Sequence, residues 1–338
     1  MKKIGILFFT LSFMLICFLG YDFAYRPNSS LQQETLIDIP PQSSFRSILK
    51  VLEDNKISIP SVEAKIAARL LGFDRKIKAG EFLISPGQSS LQILRSLTEG
   101  KSRSLSLLVI EGHNIWDIQN SWASLNQKFN PDTYQKLLRD PKLLAKAGVP
   151  TSVPEEYKTL EGYLFPETYN IEKYDAISGI LSTMIDEFNA RARPILKDHP
   201  WAKTPEGFYR LLTLASIVEK ESGQSDEQPL VASVFWNRLN KKMRLQSDPT
   251  TIYALFPNFD GNLKRIHLES YSAYNTYRIP ELPVTPISNP GEKALQAVVN
   301  PAKSSYLYFV GKGDGRHIFA ETYEEHAQNV KRFQLGQK

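Results

Sequence analysis

The chain has 338 residues, 42% of them hydrophobic and 23% charged, with a net charge of +5 and one cysteine. This length supports two domains with a sizeable core, and the composition excludes a disordered or low-complexity protein. A single cysteine excludes a disulfide-stapled framework.

Met1-Lys2-Lys3 is followed by an uncharged apolar run from Ile4 to Gly20. The run is at the short end for a membrane-spanning helix. Residues 18–21 offer no small-x-small cleavage site, and Ile16 before Cys17 is a poor lipoprotein context. We therefore expect an uncleaved anchor over residues 1–21, its lysines in the cytoplasm and the remainder exported. A cleaved signal peptide is the alternative, and it leaves the same exported part. Cys17 lies inside the anchor, so the exported part has neither disulfide nor thiol nucleophile. Export without disulfides fits a bacterial envelope protein. For such a chain a modest positive charge suits anionic wall polymer or lipid headgroups, not nucleic acid, and solubility alone also accounts for it.

Residues 22–35 read as a polar linker. Leu36–Ile39 reads as a strand stopped by Pro40-Pro41. Ser43 or Ser44 caps a helix with apolar positions Phe45, Ile48, Leu49 and Leu52. Val62, Ile66 and Leu70 mark a second helix closed by Gly72. Residues 79–84 form a second strand, ended by Ser85-Pro86-Gly87. This strand-helix-helix-strand order, over residues 36–103, resembles the layout of a LysM module, a small glycan-binding unit. A helix follows over 91–98, and Leu105, Leu107 and Val109 alternate as a strand. Residues 104–338 form the larger domain. It holds an apolar stripe from Ile177 to Phe188, a glutamate-bearing helix over 208–222 and a helix over 230–239. Prolines and asparagines crowd 280–290. A strand over 306–310, a glycine-rich hairpin over 311–315, Ile318-Phe319 and a helix over 322–333 close the chain. The expected fold class is α+β.

The densest chemistry lies between residues 211 and 249. An apolar helix carries Glu219 and Glu221, and Asn237, Arg238, Arg244, Gln246 and Asp248 follow. A carboxyl on an apolar helix is costly to ionise, so its pKa rises into the range that general acid catalysis uses. The amides suit a neutral ligand rich in hydroxyl and acetamido groups, which points to sugar chemistry. Residues two apart on a helix do not face one another. The helix therefore supplies one catalytic carboxyl, whereas two-carboxyl glycosidases need a pair about 5–9.5 Å apart. One carboxyl suffices when the sugar's own 6-hydroxyl replaces water: the acid protonates the glycosidic oxygen, then as a base removes the hydroxyl proton. Periodicity does not choose between Glu219 and Glu221, and a surface glutamate paired to Lys220 is the plain alternative for either.

Other constellations are poorer. His113, His199, His267, His317 and His326 lack metal-ligand spacing, so no metal is expected; His317 on the hairpin and His326 on the final helix could approach each other, but a surface role is expected for both. There is no nucleophile elbow and no phosphate-binding loop. Trp201, Trp236, Tyr253, Tyr274 and Tyr277 could stack on sugar, with Trp236 expected in the core.

Taken in order, several segments resemble the endolytic murein transglycosylases, the YceG-like proteins: Lys78–Phe82, Glu161–Tyr169 (EGYLFPETY), Ala215–Ser222 (ASIVEKES), Val231–Phe235, Asn237–Leu239, Met243–Thr250 (MRLQSDPT), Tyr274–Tyr277 (YNTY), Asn289–Gly291, Asn300–Ala302 and Tyr306–Val310. The resemblance covers nearly the whole chain. It implies an inner-membrane enzyme facing the periplasm that cuts nascent peptidoglycan strands internally and leaves 1,6-anhydro-N-acetylmuramic ends. It implies Glu221 as the catalytic residue, followed by the hydroxyl residue Ser222, with Glu219 second. Asn237, Gln246, Asp248 and Asn275 are expected to hydrogen-bond the glycan and Tyr274 or Tyr277 to stack on it. No metal or cofactor is implied, and peptidoglycan synthases are the implied protein partners. Glu281 stands where the family usually has glycine. Two rivals stay open: a hydrolytic muramidase with Asp248 or Glu161 as second carboxyl, and a non-catalytic wall-binding scaffold.

Overall fold

The apolar run at the N-terminus forms one continuous helix, α1 (Lys2–Tyr25), whose stretch Ile6–Tyr25 is long and apolar enough to cross a membrane. The structure, a computed structural model, describes residues 2–126 and 128–334. The chain divides into two compact units. The first comprises Met1–Ser106 with Asn170–Asp175, and the second Leu107–Tyr169 with Ala176–Lys338.

In the first unit β1 (Thr35–Ile39) leads through α2 (Phe45–Asp54) and α3 (Ser61–Leu71) to β2 (Gly80–Ile84) and α4 (Ser90–Glu99). The two strands pair antiparallel, with Ile37 opposite Phe82 and Asp38 opposite Glu81. Alternation sends Ile37, Ile39, Phe82 and Ile84 into the core, where they meet Ile48, Leu52, Ile93, Leu94 and Leu97. Ser44 caps α2 by accepting from Ser47 N, and Gly72 ends α3 in the left-handed region at φ 71°. The expected helix over 62–70 is present, yet its faces are reversed: Ala64 and Ala68 are buried while Val62, Ile66 and Leu70 are exposed. Residues 22–35 are not a free polar stretch either. Phe23 and Leu31 lie in the core, Ser89 donates its hydroxyl proton to Ala24 O at 2.7 Å, and Pro27 bridges to Ser89.

The opposed Asp38 and Glu81 would repel across the ladder. Lys173 prevents this by donating to Asp38 Oδ2 and Glu81 Oε1, both at 2.8 Å, and Tyr174 donates to Asp38 Oδ1 at 2.9 Å. These two residues belong to the short segment 170–175 that the first unit takes from a distant part of the chain.

Two further strands, β3 (Ser104–Leu108) and β4 (Thr168–Glu172), pair with each other. The second unit is mainly helical: α5 (Ile115–Leu125), α6 (Pro131–Leu137), α7 (Pro141–Ala147), α8 (Ile177–Glu187), α9 (Arg193–Leu196), α10 (Pro205–Glu221), α11 (Gln228–Asn240), α12 (Asp248–Tyr253), α13 (Arg265–Glu269) and α14 (Glu292–Val299). A hairpin of β5 (Tyr308–Gly311) and β6 (His317–Ala320) and a final helix α15 (Tyr323–Phe333) complete it. The protein is thus a mixed helix and strand fold with an N-terminal apolar helix. At the centre of the second unit, α10 packs against α11 and α14. Leu211, Leu212, Leu214, Ala215, Ile217 and Val218 have no exposed surface. A helix apolar nearly all round must be enclosed by others.

Candidate active site

α10 starts where Thr204 Oγ1 accepts from Gly207 N at 3.1 Å, with Pro205 at its first position. It ends at Glu221 because Ser222 turns to extended geometry, φ −119° and ψ 113°. Ser222 is buried, and its hydroxyl donates to Gln224 O at 2.7 Å and accepts from Gln224 N. It secures the helix end, which places Glu221 on the last turn before the chain reverses.

The Glu221 carboxyl opens into a cleft of about 400 Å³ that Gln246, Asp248, Tyr277 and Arg238 also line. Protein surrounds Glu221 on its other sides, and burial raises its pKa from 4.5 to about 7. The Ser247 hydroxyl, buried and without another partner, offsets part of that rise. The Asp248 charge adds to it and the Arg238 guanidinium opposes it. A carboxyl pKa raised toward neutrality is what acid–base catalysis by one carboxyl would use.

Local geometry explains the loop beside it. Gln246 sits in the left-handed region at φ 51°, a strained position for a non-glycine residue. Its amide donates to Thr276 O, and Ser247 N donates to Thr276 Oγ1 at 2.9 Å. Thr250 and Thr276 share a hydroxyl hydrogen bond of 2.8 Å. Asp248 opens α12 and accepts from the Tyr277 hydroxyl at 2.7 Å.

The remaining candidates lie elsewhere. Glu219 accepts from Gly291 N at 2.9 Å, away from the Glu221 cleft; burial raises its pKa, the Gly291 amide lowers it, and Glu111 raises it further. The two glutamates thus serve different spaces, as their spacing requires. Asn237 Nδ2 donates to Ser304 O and Tyr306 O, both at 2.9 Å, and so ties α11 to the approach to β5. Asn275 is fully buried. Its Nδ2 donates to three carbonyls, including Ser270 O at 2.6 Å, and its Oδ1 accepts from Tyr277 N. Tyr274 packs on Tyr253 with ring centroids 4.9 Å apart, and its oxygen accepts from Thr285. Asn275 and Tyr274 hold the loop that presents Tyr277. Trp236, half-buried, donates to Val298 O and packs against Trp201 and His199.

Arg238, expected in the cluster, takes a structural part in the site. Arg238 spans the cleft wall, donating to Leu307 O and Leu245 O at 2.6 Å each, with its guanidinium over the Tyr308 ring. Ser247 and Thr276 also belong to the site; they lie inside MRLQSDPT and YNTY, where no local pattern distinguishes them from their neighbours. His317 and His326, expected on the surface, both line the cleft. His317 Nδ1 is 2.9 Å from Glu227 Oε2. His326 stacks on Tyr308, and burial, then Arg238, lower its pKa. Their position on the hairpin and the final helix lets the two approach each other, but their place beside Glu221 depends on how β5, β6 and α15 pack.

Glu161 is another buried carboxyl, with no exposed surface. It accepts from Ile115 N at 3.1 Å, from the Tyr253 hydroxyl at 2.9 Å and from Asn289 Nδ2 at 3.2 Å. Burial drives its pKa to about 8 against these donors. Asn289 Oδ1 in turn accepts from Leu164 N at 2.9 Å. Next to it Gly162 has φ 88°, and a Cβ there would stand 2.8 Å from the Pro286 ring. The segments EGYLFPETY and Asn289–Gly291 are therefore two halves of one buried junction.

A buried carboxyl with a raised pKa thus stands at the end of an enclosed helix, in a cleft lined by amide, phenol, carboxylate, guanidinium and imidazole groups. The YceG-like family model matches residues 37–332, and the chain belongs to that family. It is 30% identical over 307 residues to the endolytic murein transglycosylase of Bacillus subtilis (strain 168), covering 88% of this chain and 84% of that protein. It is 27% identical to the endolytic murein transglycosylase of Streptococcus pneumoniae serotype 2 (strain D39 / NCTC 7466), spanning 75% of this chain and half of that longer protein. A crystal structure of a yceG-like protein from Listeria monocytogenes superposes with a TM-score of 0.59 at 30% identity, over 88% of this chain and 99% of that one.

Proposed function

We infer that the chain is an endolytic murein transglycosylase, a lyase that cleaves peptidoglycan glycan strands with Glu221 as its single acid–base group. The observation that carries this reading is the Glu221 carboxyl, raised to about 7 and open to the cleft, in a family whose curated relatives bear that name.

In the proposed reaction Glu221 gives its proton to the glycosidic oxygen between N-acetylmuramic acid and N-acetylglucosamine, and the C1–O bond breaks. The glutamate then takes the proton of the muramic 6-hydroxyl as O6 bonds to C1. A 1,6-anhydro end forms and no water is consumed. Gln246, Asp248 and Tyr277 bind the glycan. Ser222, Asn237, Tyr274 and Asn275 position the walls, and Glu219 orders the loop at Gly291. No cofactor takes part.

Residues 1–21 anchor the protein in the inner membrane, with the lysines cytoplasmic and the catalytic part in the periplasm. The βααβ order of residues 36–103 supports a LysM-like, glycan-holding role, with residues 104–338 as the catalytic domain. Cutting nascent strands would end their elongation, which makes peptidoglycan synthases the fitting partners.

Mass spectrometry of fragments released from uncrosslinked strands tests this. Anhydro-ended internal fragments from the wild type, lost in Glu221→Gln and kept in Glu219→Gln, are expected. Asp248 on the same cleft favours one rival, a two-carboxyl muramidase. Fragments heavier by one water would establish that rival and overturn the lytic mechanism.

A further inference from the structure

The outer face of α3 is inverted for a helix in water. Its small residues Ala64 and Ala68 face the core, while Val62, Ile66 and Leu70 are 65%, 55% and 79% exposed. These three recur every fourth position and form one stripe. Lys65 and Arg69 are exposed beside it. Residues 61–78 hold five basic side chains, Lys65, Arg69, Arg75, Lys76 and Lys78, against two acidic ones, Glu63 and Asp74.

The stripe is continuous with the apolar helix. Ile66 and Leu70 share a groove of about 380 Å³ with Ile16, Leu19 and Gly20 of α1. Those α1 residues fall in the later turns of the Ile6–Tyr25 stretch. If α1 spans a bilayer, α3 lies at the depth where that span ends. Tyr21 and Tyr25, both exposed and 5.2 Å apart between ring centroids, stand at the same end of α1. Paired aromatic rings at the end of a span are the usual mark of the headgroup level.

We propose that α3 is a second membrane contact: Val62, Ile66 and Leu70 enter the boundary between headgroups and acyl chains, and Lys65 and Arg69 meet anionic lipid phosphates. Apolar side chains flanked by cations bind an anionic interface in this way, through buried apolar area and headgroup attraction together. The proposal rests on the reading of α1 as a membrane span. It makes the first unit a monotopic surface element as well as the carrier of an anchor, and it gives the basic excess of residues 61–78 a ligand.

The test uses the full-length protein in vesicles of phosphatidylcholine and phosphatidylglycerol. In a Cys17→Ser background, Val62→Cys, Ile66→Cys, Leu70→Cys and, as a reporter of the span, Leu11→Cys are each labelled with an environment-sensitive fluorophore. Lipids carrying a nitroxide near the headgroup end of the acyl chain, and aqueous iodide, serve as quenchers. The expected result is loss of fluorescence to the lipid quencher at all three α3 positions, weakening when phosphatidylglycerol is omitted, with little loss to iodide. Lipid quenching at position 11 but only iodide quenching on α3 would overturn the proposal and leave the anchor intact. Protection of α3 from both quenchers would assign the stripe to a protein partner or a second copy, which also overturns it. No lipid contact at position 11 would remove the span itself and the proposal with it.

Discussion

Tyr277 donates its hydroxyl proton to Asp248 Oδ1 at 2.7 Å and so fixes the carboxylate whose charge raises the Glu221 pKa. A general acid works only while protonated. With Glu221 at about 7, kcat/KM should fall as pH rises through that value. Asp248→Asn removes a like charge, lowers the Glu221 pKa and should move the alkaline limb to lower pH. Ser247→Ala removes a donor to the ionised form and should move the limb to higher pH. The pH profiles of the two variants check this, and limbs that shift in the same direction would contradict the assignment.

Replacing Glu221 itself separates chemistry from folding. Glu221→Gln should lower kcat by about 10³-fold, with a Tm equal to or above wild type, since an amide is cheaper to bury than a charge. Glu219→Gln keeps an acceptor for Gly291 N and should hold activity within about tenfold. Rates on soluble glycan strands, read beside thermal melts, test both. Loss of activity confined to Glu219→Gln would transfer the catalytic role to that residue.

Glu161 should make stability depend on pH. Its folded pKa of about 8 lies above the ordinary value of 4.5. Between those values the folded chain keeps a proton that the unfolded chain has released, so stability falls as pH rises. The contribution is complete below 4.5 and is lost as pH climbs through 8. In Glu161→Gln the amide nitrogen meets another donor, Asn289 Nδ2. We expect a loss of about 1–3 kcal/mol at acid pH and a flatter dependence above it. Parallel curves for wild type and variant across this range, by chemical denaturation, would show that Glu161 does not titrate on folding.

Lys173 neutralises two carboxylates that the strand register sets face to face. Lys173→Met should cost about 1 kcal/mol, more at low ionic strength than at high. Adding Asp38→Asn should recover part of the loss. Urea midpoints at two salt concentrations measure this, and a loss unaffected by salt would point to packing of the lysine stem instead.

Local signals carried much of this structure. The cap at Ser44, the stop at Gly72 and the β5–β6 turn are readable because each is decided by a few adjacent residues. Of the cluster read between residues 211 and 249, the fold places Glu221, Arg238, Gln246 and Asp248 on one cleft, joined there by Tyr277. What escaped depended on contacts distant in sequence. Segment 170–175 joins the first unit through Lys173, and α15 reaches the cleft through a hairpin. Asn237 and Asn275 have amides that suit a ligand, yet their hydrogen bonds are spent on backbone carbonyls. Composition does not reveal whether a polar group is already satisfied. The periodicity of Val62, Ile66 and Leu70 announces a helix, but period alone does not say what medium the stripe meets.

The seat of Phe23 in the first unit's core, with the bond from Ser89 to Ala24 O, has a mechanical consequence. A flexible tether over residues 22–35 would let the unit wander by about 20 Å. With α1 in a bilayer the same residues act as a rigid post. The first unit can tilt with its helix but has no slack to rise, so its height above the lipid is set by the helix and not by a loose chain.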